Sequence, residues 1–263
     1  MTAHLLNILL YTLFGFATLY PFFLWLTPRK KIGAGFYNFN LGLSCVIGGM
    51  AFVLSWIKGA DSIIVFGITG WLGLHLVVTY MYWNREKISN GIISFSSLIG
   101  CIIFAFLTLS VLPVKSSIFI IPIGILSQSI VAGVLFAMIL GHWYLNVIQL
   151  PIGLLQKASN GLAGLLVVRL LWNLVQLPSI QLKNNYGVSI STIQYIQTLD
   201  GFFLGVALLF GLIVPLILHF FIWKTLKLHA TQSATGLLYI SVLSVFVGDL
   251  CYKFVLFQDG LVL

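Results

Sequence analysis

Long apolar runs separated by short polar breaks dominate the pattern of this chain. A transmembrane helix needs about 20 apolar residues, and eight runs meet that length. They predict helices over roughly 4–27, 36–57, 62–83, 91–112, 117–148, 158–178, 197–223 and 229–256. The fifth and seventh runs are longer than a perpendicular span requires, so we expect tilt or protrusion there.

The breaks between these runs carry turn chemistry and leave no room for a soluble domain. The longest of them, LPSIQLKNNYGVSISTIQ, still lies directly between two predicted spans. The pattern therefore predicts one all-α integral membrane domain over residues 1–263, built as a bundle of about eight transmembrane helices.

Composition supports a membrane protein. Hydrophobic residues make up 60% of the chain and charged residues 7%, whereas soluble proteins carry about 25% charged residues. The net charge of +8 would suggest nucleic acid as the partner of a soluble chain. Here the basic residues lie mostly in short loops, so we interpret them as topology signals beside anionic lipid and expect no nucleic-acid partner.

Loop charges also predict an orientation. The loops after the odd-numbered helices carry eight Lys and Arg residues, and those after the even-numbered helices carry three. The positive-inside rule then places both termini, and the loop at 179–196, on the outer side of the membrane. We expect that membrane to be a prokaryotic inner (cytoplasmic) membrane.

Four of the five histidines are predicted at one membrane level. At a rise of ~1.5 Å per residue, His75 and His142 fall about 9–12 Å from the inner ends of the third and fifth helices. His219 lies near the inner end of the seventh helix, and His229 opens the eighth from the same side. Ionisable side chains in hydrocarbon are costly, so each needs a partner or a function.

This clustering has more than one interpretation. A haem b in a helical bundle needs two imidazoles from different helices at matching depth, and His75 and His142 satisfy that requirement best, with His219 and His229 as alternates. The same side chains are also suited to quinone binding. Alternatively, they are packing residues, and Trp143 and Tyr144 in the stretch LGHWYLN belong to an aromatic belt.

The sixth helix carries a polar stripe. Arg169, Asn173 and Gln176 follow one another at i, i+4 and i+7 and so share one face, which must turn away from lipid. The eighth helix carries Asp249 and Lys253 at i, i+4, a spacing that allows a local ion pair. Either that pair is purely structural, or Arg169, Asp249 and their neighbours form an outward polar pocket for a quinone head group or a proton path. The full predicted pocket comprises Arg169, Asn173, Gln176, Asp200, Asp249 and Lys253.

Several enzyme classes are excluded by missing motifs. The chain has no HExxH, no GxSxG, no Walker loop and no paired-Asp diphosphate motif. In the stretch HATQSATGLLYI, we interpret Ser233, Thr235 and Gly236 as small residues that let helices approach closely.

The last predicted helix reads GDLCYKFVLFQDG from Gly248 to Gly260. This pattern resembles the end of the NrfD-like family, the membrane subunits of polysulfide reductases, and the eight-helix count is compatible with that family. The resemblance implies a subunit that anchors an iron–sulfur partner and exchanges electrons with quinone, usually without haem of its own. The histidine cluster departs from the family pattern.

The sequence thus predicts an integral subunit of a membrane electron-transfer complex, which binds b-type haem, quinone or both. It would act with a redox partner subunit that carries the other cofactors, as a quinone-reactive oxidoreductase subunit. In this scheme Arg169 offsets negative charge on a haem propionate or a reduced quinone, and Asp249 carries protons. Two alternatives stay open at this point: a small-solute transporter or channel lined by the Arg169 stripe and Asp249, and a non-catalytic scaffold subunit of a larger complex.

Overall fold

Eight long apolar helices make up most of the described chain. The computed structural model describes residues 2–83, 85, 89–112, 118–147, 150–179, 182–183, 189–190 and 192–263, without the side chains of 2–4, 179, 182–183, 189–190, 192–193 and 199–200. Within these residues, eight helical segments are long and apolar enough to cross a membrane: Leu5–Leu26, Ala34–Ile57, Ser62–Tyr82, Asn90–Val111, Ile120–Asn146, Gly153–Pro178, Gly201–Lys227 and Thr231–Asp259. The predicted all-α membrane bundle is confirmed, and the protein is an integral membrane protein.

The first span changes its helical type part of the way along. Helix α1 (Thr2–Leu19) passes directly into a 3₁₀ helix at Tyr20–Leu26, where Pro21 lies in the first turn. Proline lacks the N–H that would continue the α-helical ladder, so the tighter segment begins there. The Tyr20 hydroxyl then donates to the buried Asn40 side chain of the next span.

The basic loop that follows contains a short helix, α2 (Arg29–Ile32). Gly33, at φ +88°, then turns the chain into α3 (Ala34–Ile57). Helix α4 (Ser62–Tyr82) starts at Asp61, whose carboxylate accepts from the Ile63 backbone N–H at 3.1 Å. Such a side-chain cap satisfies one of the orphan donors at a helix N-terminus.

Helix α5 (Asn90–Val111) packs on α1 and α4. Helix α6 (Ile120–Asn146) is the central element of the bundle, because it packs extensively on α1, on α7 (Gly153–Ser179) and on the last helix. After α7, the strands β1 (Leu182–Lys183) and β2 (Ser189–Ile190) pair antiparallel, and α8 (Thr192–Ile196) follows.

The seventh span contains a widened turn. It consists of α9 (Leu199–Leu208), a π-helical segment at Leu209–Ile213, and α10 (Val214–Lys227). Pro215 follows the π segment and has no N–H to donate to the Gly211 carbonyl four residues earlier. In a regular α-helix the proline ring would also clash with that carbonyl. The wider turn relieves both problems and brings the Gly211 backbone against Gly248 of the last helix.

Helix α11 (Thr231–Asp259) ends at Gly260, which has the left-handed conformation typical of a helix C-cap (φ 70°). It packs on α6, α9 and α10, so α6 and α11 share the centre of the bundle. Large apolar side chains cover the outside, among them Trp56 at 70% exposure and Phe66 at 77%. In water such a surface would cause aggregation, whereas lipid solvates it.

The predicted spans agree with the observed ones except at some ends. The sixth begins at Gly153 rather than at 158, and the eighth extends to Asp259 rather than 256. The fifth helix spans 27 residues and the seventh span also 27, so both are longer than the roughly 20 residues that a perpendicular crossing needs.

Candidate functional site

His142 lies at the edge of an apolar groove on the outside of the bundle. It is exposed on α6, and its Nδ1 lies 3.0 Å from the Tyr239 hydroxyl of α11. The groove has a volume of about 410 Å³ and lies between α3, α6 and α11, lined by Phe39, Met138, Ile139, His142, Trp143, Asn146 and Tyr239. Small-molecule sites in proteins are typically about 300–1,000 Å³, mostly apolar, with a few converging polar groups. The groove matches that description.

The sequence keeps the backbones of α6 and α11 close together beside this pair. A Cβ atom at Gly141 would lie 2.8 Å from Oγ1 of Thr235, so glycine allows the close approach. The stretches LGHWYLN and HATQSATGLLYI therefore pack against each other, which places His142 and Tyr239 in register. The predicted packing role fits Thr235. It is wrong for Ser233 and Gly236, which are exposed, and a Cβ atom at Gly236 would meet no atom within 4 Å.

Trp143 adds a second polar group at the groove. Its ring packs edge-on against Phe36, with centroids 5.5 Å apart, while its Nε1 is buried and has no hydrogen-bond partner among the described residues. A buried donor without a partner costs about 1–3 kcal/mol. A ligand that offers an acceptor oxygen would remove this cost.

His75, His219 and His229 do not line the groove that His142 borders. His75 on α4 is fully buried, its Nδ1 lies 3.0 Å from the Ser96 hydroxyl of α5, and its ring stacks on Trp71 at 5.2 Å. His219 on α10 is half-buried, with Nδ1 3.2 Å from the Ser159 hydroxyl of α7. His229 is exposed in the turn before α11, at φ 58°.

The described contacts do not bring His75 and His142 together. Helix α4 packs mainly on α3 and α5, whereas α6 packs mainly on α11, α7 and α1. Because the two helices pack on different neighbours, His75 and His142 do not face one another across a common slot, although Nε2 of His75 is buried without a hydrogen-bond partner among the described residues. His75 lies seven residues from the end of its helix and His142 four, or about 10 and 6 Å along the helix axis. Haem ligation by this pair stays a prediction from the sequence.

A second polar cluster lies near the opposite end of the bundle. Lys253 and Asp249 form the ion pair expected from their i, i+4 spacing, and both side chains are buried. The Ser127 hydroxyl of α6 donates to the other carboxylate oxygen at 2.5 Å. With its amide oxygen assigned toward Lys253, Gln128 accepts from Nζ at 3.1 Å. The pair is therefore neutral and well hydrogen-bonded, as a buried ion pair must be to persist.

Arg169 lies beside this pair and has a different environment. It is 3% exposed, and its guanidinium carbon lies 4.0 Å from the centre of the Tyr252 ring. Asn173, one turn further along α7, donates to the Tyr252 hydroxyl at 2.6 Å. The predicted stripe on the sixth span is thus confirmed for Arg169 and Asn173, which face the bundle interior, while Gln176 is half-buried. The side chain of Asp200 lies outside the described residues.

A small cavity adjoins Arg169. Its volume is about 20 Å³, whereas a single water needs roughly 10–15 Å³ by the same measure. This space is smaller than a quinone ring. The cavity and the His142 groove are distinct sites, because Ser127 and His142 lie fifteen residues apart on α6, or about 22 Å along the helix axis.

Several residues of these two sites were not predicted. Tyr239, Tyr252, Tyr11 and Ser127 all lie in apolar runs, where tyrosine and serine are common packing residues. One available signal was the i, i+3 spacing of Asp249 and Tyr252, which puts the phenol on the same face as the acid.

No family model, curated protein or solved structure gave a significant match to this chain. The two sites therefore rest on the geometry of the membrane bundle itself.

Proposed function

We propose that the chain is a quinone-binding subunit of a membrane electron-transfer complex, and that the quinone head group binds to His142 and Tyr239. The observation that supports this most is an imidazole hydrogen-bonded to a phenol (3.0 Å) at the edge of a lipid-facing apolar groove of about 410 Å³. A membrane quinone has the complementary chemistry, since it combines a flat ring, two acceptor oxygens and an apolar tail.

The polar groups are arranged to hold one quinone oxygen. When the Tyr239 hydroxyl donates to Nδ1 of His142, the neutral imidazole carries its proton on Nε2. That N–H and the unpartnered Nε1–H of Trp143 then supply donors for a carbonyl oxygen, while Phe39, Met138 and Ile139 exclude water from the ring.

The same residues account for proton movement. Reduction of a quinone to a quinol takes two electrons and two protons. His142 can give one proton from Nε2 while its Nδ1 takes the proton of the Tyr239 hydroxyl. Water at the helix end, where Asn146 lies, would return a proton to Tyr239 and supply the second proton of the quinol. The described residues hold no group of three or more His, Cys, Asp or Glu side chains that could bind a metal ion. In this proposal the electrons come from a partner subunit that carries iron–sulfur clusters or haem, as the resemblance to the NrfD-like family implies.

The orientation belongs to the same proposal. With both termini outside a prokaryotic inner membrane, the groove lies in the inner leaflet and Arg169 in the outer half of the bundle. The partner subunit would then have to dock where its last cofactor lies within electron-transfer distance of the groove.

Fluorescence quenching tests the proposal. Quinones quench the fluorescence of nearby tryptophan residues. Titration of the purified protein in detergent with a short-chain ubiquinone or menaquinone analogue should therefore quench the fluorescence of Trp143. We expect His142→Ala and Tyr239→Phe each to weaken binding about tenfold, because the loss of one hydrogen bond costs roughly 1.4 kcal/mol.

His219→Ala is the matched control, since it removes an imidazole that is bonded to Ser159 away from the groove. Its quinone affinity should equal that of the wild type. Equal affinities in His142→Ala, His219→Ala and wild type would contradict the proposal, and so would quenching that persists unchanged in Trp143→Phe.

A further inference from the structure

The cavity beside Arg169 has an unusual set of polar walls. Five polar side chains line it, namely Tyr11, Ser127, Arg169, Tyr252 and Lys253. Two of these are cations and three carry hydroxyl groups, and neither Asp nor Glu is among the described residues that line it. Because Lys253 is paired with Asp249, the net positive charge at the cavity comes from Arg169.

The charges around the cavity do not balance among the described side chains. Asp249 is neutralised by Lys253, with Ser127 on its second oxygen. Arg169 is left with Tyr252, which it contacts at the ring and the hydroxyl, and its Nε and Nη1 atoms are buried without a hydrogen-bond partner in the described part of the chain. A buried guanidinium in hydrocarbon is strongly unfavourable unless an anion or other acceptors satisfy it.

The C-terminal segment after α11 encloses the cavity. Trp172 donates from Nε1 to the Val262 carbonyl at 3.1 Å, and Leu263 is 4% exposed. Val262 and Leu263 line the cavity together with Ile120 and Ile123. These residues shield an occupant from bulk water, and the attraction of an anion to Arg169 is stronger in such a site than at a surface.

We propose that this cavity binds one small monovalent anion of chloride size, held by Arg169 and Lys253 and by the surrounding hydroxyl groups. The volume of about 20 Å³ suits a single small occupant such as a monatomic halide. The bound anion would neutralise the cluster and join α1, α6, α7 and α11 at this end of the bundle. The site is independent of the quinone groove about 22 Å away along α6.

Bromide provides the direct test, because it has a strong anomalous X-ray signal. Crystals of the full chain grown with bromide in place of chloride should show one anomalous peak in the cavity beside Arg169 and Lys253. Density that matches water, with no anomalous peak there, would overturn the proposal.

Thermal unfolding in detergent provides the second test, at constant ionic strength with gluconate as the replacing anion. Chloride at tenfold excess over its Kd should raise the melting temperature by about 3–5 °C, and Arg169→Gln should remove that shift. Arg85→Gln, which changes an exposed arginine, should retain it. An equal shift with sulfate or phosphate, or an unchanged shift in Arg169→Gln, would also overturn the proposal.

Discussion

Replacement of Asp249 by leucine should destabilise the protein strongly, by about 3–5 kcal/mol. The substitution leaves Lys253 buried without its counter-ion, and removal of one partner of a buried ion pair typically has that cost. Arg169 in the same cluster adds a second positive charge, so the loss should reach the upper part of the range. The measurement is the melting temperature or the denaturant midpoint of the purified protein in detergent.

The double variant Asp249→Leu/Lys253→Met separates the charge effect from packing. Because it removes both charges and keeps similar volumes, it should recover most of the lost stability. Asp61→Leu removes an exposed acid that caps α4 and should cost only about 1 kcal/mol. If Asp249→Leu and the double variant were equally unstable, the ion pair would not be the source of the loss.

Gly248→Ala should also have a large effect, of the order of 1–3 kcal/mol or more. A Cβ at this position would lie 2.0 Å from the backbone nitrogen of Gly211, and neither backbone can yield without separating α11 from the π-helical segment. Overpacking of this kind is costly even where flexible side chains absorb it. Thermal unfolding of the variant measures the loss.

Gly236 offers a matched control on the same helix, since a Cβ there would meet no atom within 4 Å. Gly236→Ala should be neutral or stabilising by up to about 1 kcal/mol, because alanine is the better helix former. Equal effects of the two substitutions would show that helix propensity, rather than the crossing of the two backbones, determines the outcome.

The spans were largely predictable because length and apolarity alone identify a membrane helix. The exception at the start of the sixth span has a clear cause. Gln156 and Lys157 lie in the first two turns of α7, and two polar residues a few positions after Pro151 favour a loop when they are seen in the sequence alone. The extension of α11 beyond Phe257 has a similar cause, since Gln258 and Asp259 still belong to the helix.

The sites were less predictable than the spans. The distance of a residue from the end of its helix follows from the number of residues between them, so these distances were roughly predictable for His75 and His142. The direction of each side chain around its helix was not, because helices that are apolar on every face carry little information on rotation. For the same reason Tyr239 was not recognised as the partner of His142. The ion pair of Lys253 with Asp249 was predictable because its geometry depends on one helix only.

Quinone binding by His142 and Tyr239 is tested directly by the quinone content of the protein extracted from native membranes in polymer nanodiscs, without detergent. Quantification by mass spectrometry should give about one quinone per chain for the wild type and for His219→Ala, and background levels for His142→Ala/Tyr239→Phe. Equal quinone content in all three proteins, or phospholipid alone in the groove of the wild type, would contradict quinone binding by His142 and Tyr239.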